Sequence, residues 1–141
     1  MSYCLPTAKA GAAYFAIVFG IALALGTFRV FVLTPMLGAE FAVAAEIPIV
    51  LGVSWVSCGW AIRRFSVPSD FIERALMGAT AFVWLMAAEL GLSMALFGRT
   101  FADHIAIYKE LPEQMGLLAQ IGFGTFPVLQ LSRHGKSRNA A

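Results

Sequence analysis

The sequence predicts an all-α fold: a four-helix transmembrane bundle with a short interfacial helix between the third and fourth spans. Three observations lead there. Sixty per cent of the 141 residues are apolar and only 13% are charged, where a soluble domain carries about a quarter charged residues. Mean hydropathy is +0.79. The apolar residues gather in four runs, each near the ~20 residues that cross a hydrocarbon core of about 30 Å. Together these make residues 1–141 a single integral membrane domain whose first partner is the lipid bilayer. The same composition argues against a disordered chain, a secreted disulfide scaffold and a soluble enzyme. Ten basic against eight acidic residues leave a net charge of +2, too small to expect nucleic acid as a partner. Cys4 and Cys58 form no C-x-x-C pair and have no histidine at ligand spacing, so the expectation is two free thiols, no metal and no cofactor.

The first run, about 11–33, is too long for the apolar stretch of ~7–15 residues in a cleaved signal peptide, and reads as a span. Thr7 is a candidate N-cap. Thr34-Pro35 is the expected stop, because a residue before proline avoids the helical region. The second run, about 41–62, contains Pro48 and closes at Arg63-Arg64. Ser66-Val67-Pro68-Ser69 reads as a turn, and Asp70 with Glu73 as a capping box opening the third run, about 75–97. That run ends at Gly98-Arg99. The fourth, about 115–131, is the shortest; Pro112 suits the first turn of its helix and Pro127 lies inside it.

Between the last two runs, Thr100 and Asp103 again stand at capping-box spacing. Phe101, Ile105, Tyr108 and Leu111 recur at helical intervals, with Asp103, His104, Lys109 and Glu110 as the polar residues. The pattern predicts an amphipathic helix over about 100–111, lying in the membrane interface; an exposed irregular loop is the alternative.

Orientation follows from Lys and Arg in the short loops. One side carries Lys9, the group Arg63, Arg64 and Arg74, and the basic tail Arg133, Lys136 and Arg138 within 132–141. The other side carries Arg99, Lys109 and, at most, Arg29. Seven against three puts both termini in the cytoplasm, and the expected location is a bacterial inner membrane.

Each span also carries one costly polar group: Arg29, Glu46, Glu89 and Gln120. At about 1.5 Å per residue they lie about 6, 8, 12 and 8 Å inside the same membrane surface. An isolated charge at mid-bilayer costs about 2.5–3.5 kcal/mol on insertion scales. The groups are therefore expected to turn inward as one network, with Arg29 pairing with Glu46 or Glu89 and Gln120 joining. Glu40 and Ser93 are secondary polar candidates, and Arg29 reaching outward to Glu40 is the competing arrangement. Small residues at intervals of four mark close-packing faces, Ala12, Ala16, Gly20 and Ala24 on the first span and Gly116 and Gly124 around Gln120 on the fourth. His104 and His134 are read as isolated, Trp60 and Tyr108 as interface anchors, and Trp55 and Trp84 as packing residues.

The run Gly26-Thr-Phe-Arg29 to Thr34-Pro35, followed by Glu46-Ile-Pro48, Met77-Gly78 and Ala88-Glu89, resembles four-helix bacterial inner-membrane proteins to which no activity is assigned. The resemblance implies a location and no chemistry. Small multidrug transporters share the four spans and a functional intramembrane Glu, but theirs lies in the first span, where this chain has Arg29. Glu73-Arg74 is too short a match to membrane glutathione transferases. Two functions follow as expectations. The first is an accessory or scaffold subunit that packs with copies of itself or within a larger membrane complex. The second is a proton-linked solute transporter or permeation element built on the polar cluster. No catalytic constellation is present to support an enzyme.

Overall fold

The computed structural model describes residues 4–138, with side chains as far as Ser132. The side chains of the basic tail, Arg133, His134, Lys136 and Arg138, lie outside the described residues. In chain order the elements are α1 (Cys4–Phe28), a π-helical turn (Arg29–Leu33), α2 (Thr34–Leu37), α3 (Ala39–Arg64), α4 (Phe71–Phe97), α5 (Phe101–Ala106), a 3-10 turn (Ile107–Lys109) and α6 (Leu111–Arg138). Among the described residues, four helical stretches are long and apolar enough to cross a membrane: Cys4–Leu37, Ala39–Arg64, Phe71–Phe97 and Leu111–Ser132. The fold is the four-helix transmembrane bundle that the composition implies.

Thr34-Pro35 does not end the first helix. The backbone widens instead, and the Thr34 N–H donates to the Arg29 carbonyl, five residues back. A proline ring clashes with the carbonyl four residues before it; opening the turn to π spacing relieves that clash and lets the helix continue. The stop falls at Gly38, whose φ of 83° no side-chain-bearing residue adopts cheaply. Thr7 is likewise not a cap. It sits one turn inside α1, and its hydroxyl donates to Glu73 Oε2 at 2.5 Å. Glu73 is thereby drawn away from the capping box expected of it, while Asp70 still caps α4 by accepting from the Ile72 N–H at 3.0 Å. The Thr100–Asp103 box has both arms in place, and the segment after it is a short helix, as its periodicity predicts. Gly98, left-handed at φ 61°, terminates α4.

The bundle is a four-cornered ring. α1 packs on α3 and α4, and α6 packs on the same two helices. α1 and α4 run parallel, with Thr7 beside Glu73 and Gly11 against the Met77 carbonyl. α3 and α6 are also parallel, with Gln130 bonded to the Trp55 carbonyl. The other two seams, α1–α3 and α4–α6, are antiparallel, so the second and third spans, neighbours in sequence, stand on a diagonal.

Packing is densest toward the end that holds the 65–70 turn. Ala10, Tyr14, Cys58, Ala61, Met77 and Ala81 are fully buried there. Tyr14 reaches across the other diagonal to α6, stacks on Phe123 at 4.3 Å between centroids and donates to the Phe123 carbonyl at 2.9 Å. The bond satisfies a buried hydroxyl and a carbonyl just before Pro127. Arg74, counted above as a loop charge, is only 2% exposed and its Nε donates to the Pro68 carbonyl at 2.9 Å. It fastens the turn to α4 rather than facing water.

Candidate functional site

The four intramembrane polar residues lie toward the opposite end of the bundle, where packing is looser. They meet in pairs, one on each antiparallel seam. On the α1–α3 seam, Arg29 Nε stands 2.5 Å from Glu46 Oε2. Arg29 opens the π turn, so the widened backbone sets where its side chain leaves the helix. Gly26 one turn earlier leaves open the space beside the pair, where a Cβ would come within 4.0 Å of both side chains. A small apolar cavity of about 110 Å³ borders Glu46, walled by Leu25, Phe28, Leu33, Ala45 and Ile49. Water screens little in such surroundings, which strengthens the attraction between the two charges.

On the α4–α6 seam, Gln120 Nε2 donates to Glu89 Oε1 at 2.5 Å. The Gln120 carbonyl oxygen is buried with no hydrogen-bond partner among the described residues. The expected single network is thus two separate pairs. α1 and α6 hold opposite corners, which puts Arg29 and Gln120 on different seams, and the carboxylate that Arg29 takes is the one on its antiparallel neighbour. Glu40 does not hold Arg29 either; it is exposed in the first turn of α3. Ser93 is buried, and its backbone carbonyl receives the Gly98 N–H to close α4. Its hydroxyl has no partner among the described residues.

Three further residues join the Glu89–Gln120 side, and sequence reasoning missed them. The short interfacial helix folds back so that His104 is 7% exposed and meets Tyr108 edge-on at 5.6 Å. Burial of the Tyr108 phenol, and then the negative charges of Glu89 and Glu113, hold its pKa above the ordinary value. Tyr108 therefore stands within electrostatic reach of both Glu89 and Glu113. Glu113 Oε2 and His104 Nδ1 are both buried without a partner among the described residues. His104 is not isolated, and Tyr108 does more than anchor an interface. Glu113 was legible in one respect: it stands seven residues before Gln120 and so lies on the same helix face. Nothing in the sequence places His104 or Tyr108 beside them.

No group of three or more His, Cys, Asp or Glu able to hold a metal occurs among the described residues. The chemistry open to this end of the molecule is proton binding and ion pairing. Fold and site together define a compact four-span helical membrane protein with one polar pair on each antiparallel seam. Comparison with family models, with curated proteins and with solved structures gave no match.

Proposed function

We propose that this chain is an accessory or scaffold subunit that packs, through exposed small-residue faces, against another copy or another membrane protein. The observation that carries the reading is the outward face of the first span. Ala16, Gly20 and Ala24 are all exposed, and a side chain added at Gly20 would meet nothing within 4 Å. Inside the bundle the same residue type serves close helix contact: Gly78 lies against the Gly124 carbonyl and Gly11 against that of Met77. A second uncovered stripe of this kind lets a further helix approach closely, which is how helices associate in lipid. Inner-membrane residence with both termini cytoplasmic belongs to the same proposal and rests on the distribution of Lys and Arg.

The test is cross-linking in native membranes followed by purification in mild detergent. The wild type is expected to run as a complex of fixed composition. Gly20→Ile should release it without lowering the thermal stability of the bundle. A wild-type chain that is monomeric in the membrane refutes the proposal. Reporter fusions at the C-terminus test the orientation separately.

A proton-linked transport role is the second reading, favoured by the bond between Glu89 and Gln120 within electrostatic reach of Tyr108. Its test is proton or cation flux through reconstituted protein. Flux that Glu89→Gln and Glu46→Gln both abolish, with folding intact, would support it; absence of flux in the wild type would remove it.

A further inference from the structure

The α4–α6 seam is tight at one end and open at the other. A Cβ added at Gly78 would run into the Gly124 carbonyl, so the two backbones touch there. Gly116 lies two turns before Gly124, about 12 Å nearer the polar-pair end at 1.5 Å per residue. It shares a helix face with Gln120, Phe123 and Pro127, and the last two are buried. A Cβ added at Gly116 would nevertheless meet nothing within 4 Å. The inward face of α6 therefore borders open space at this level, and the two helices diverge from the Gly78 contact outward.

Unpaired polar atoms follow the same stretch. Gln120 Oε1, Ser93 Oγ, Glu113 Oε2 and His104 Nδ1 are all buried without a hydrogen-bond partner among the described residues. Ser93 is only 5% exposed. It stands one turn outward of Glu89 on the face of α4 that bonds to Gln120. Because the helices are antiparallel, its level on α6 is one turn outward of Gln120, where Gly116 leaves the space. Glu113 is a further turn out, about 10 Å from Gln120 along the axis. His104 meets Tyr108 edge-on, and Tyr108 is in electrostatic reach of Glu89 and Glu113. A buried polar atom without a partner is costly, and four in one file call for water. Gln120 Oε1 and a carboxylate can only accept. Neither Glu89 nor Glu113 has an ion-pair partner among the described residues. Of the basic residues at this end, Arg99 stacks over Phe97 and Lys109 is exposed.

We propose that α4 and α6 enclose a water-filled cleft, closed at the Gly78–Gly124 contact and open at the end that holds α5, which draws small cations in as far as Glu89. Ser93, Gln120, Glu113 and His104 hydrogen-bond its water, and the two carboxylates set its preference for positive charge. An anion would meet like charge from both sides of the seam. The cleft deepens the transport reading without requiring flux: the Gly78–Gly124 contact makes it blind, so a cation enters and leaves by one end.

Thiol accessibility in membrane fragments, where both surfaces meet the reagent, tests this. The background is the full chain with Cys4→Ser and Cys58→Ser. Ser93→Cys and Gly116→Cys are each treated with trimethylammonioethyl or sulfonatoethyl methanethiosulfonate, rates being taken relative to a free thiol. Only a hydrated thiol ionises and reacts. Both cysteines should react at least about tenfold faster than Leu118→Cys, which lies on the same helix and is 70% exposed on the outer surface of the bundle. The cationic reagent should outpace the anionic one by about tenfold or more, the scale of one carboxylate about 6 Å away at an effective dielectric constant of about 40. Adding Glu113→Gln should shrink that ratio severalfold. Circular dichroism melting establishes that each variant is folded, and Gly116→Cys carries the test if Ser93→Cys does not fold. Folded variants that react no faster than Leu118→Cys overturn the proposal. So does an equal or anion-favouring ratio, or a ratio that Glu113→Gln leaves unchanged. A wild type without flux removes the transport reading and leaves the cleft standing, whereas unreactive thiols remove the cleft whatever the flux.

Discussion

Gly78 is the position where adding one methyl group should do most damage. A Cβ built there would overlap the Gly124 carbonyl oxygen. Backbone must move to clear it, because the obstacle is a carbonyl rather than a mobile side chain. Forced overpacking of this sort costs about 1–3 kcal/mol. Moving α6 away from α4 also stretches the Gln120–Glu89 bond, which crosses the same seam. A hydrogen bond to a charged group contributes about 1.5–3 kcal/mol, so Gly78→Ala should lose about 2.5–6 kcal/mol in all if that bond breaks. Gly91→Ala, on the same helix as Gly78, is the matched control. It adds the same methyl where nothing lies within 4 Å, and the better helix propensity of alanine makes it neutral or stabilising by up to about 1 kcal/mol. Reversible unfolding in mixed micelles, followed by far-UV circular dichroism, measures both. Equal stability of the two variants would refute the close α4–α6 approach on which the seam is built.

Other outcomes follow from the same geometry. Arg29→Leu leaves Glu46 beside an apolar cavity without its partner, and should destabilise by about 1–3 kcal/mol in the micelle assay, less than the mid-bilayer figure because the pair is shallow. Tyr14→Phe removes a buried hydroxyl and strands the Phe123 carbonyl, for a loss of about 1–3 kcal/mol in the same assay. Asp103 is held below the usual carboxylate range by the Thr100 hydroxyl and then the Thr100 N–H. A depressed carboxylate stabilises the folded segment above its ordinary value near pH ~3.9 and loses that contribution as pH falls through the lowered value. Protection factors of the amides over 100–109, exchange rates corrected for the intrinsic pH dependence, should therefore fall on acidification, while Thr100→Ala, lacking the cap, should show low protection at every pH. Arg74→Ala should free the 65–70 turn, read as faster exchange at Val67 and Ile72, because its Nε bond to Pro68 is lost.

Composition and periodicity alone determined the number of spans, the short helix after Thr100 and one polar group in each span. These are local quantities: hydrophobic length, the period of a helix and the chemistry of a capping box act between residues a few positions apart. The helix ends were less legible. Proline at 35 announces a stop in isolation, yet a π turn accommodates it, and Gly38 three residues later supplies the cheaper exit. Glu73 shows the same limit. Its spacing from Asp70 fits a cap, but a hydroxyl brought in from the first span outcompetes the backbone N–H.

Which polar groups meet was settled only by the arrangement of the four helices. A ring that sets α1 and α6 at opposite corners, and likewise α3 and α4, gives Arg29 the carboxylate of the second span and leaves the third span's Glu89 to Gln120. No spacing along the chain encodes that choice, because the diagonal is a property of how all four helices pack at once. Arg74 is the sharpest case. A guanidinium beside a turn reads as solvated charge, and only the closure of the bundle over it, with the Pro68 carbonyl accepting a hydrogen bond from its Nε–H, makes it part of the interior.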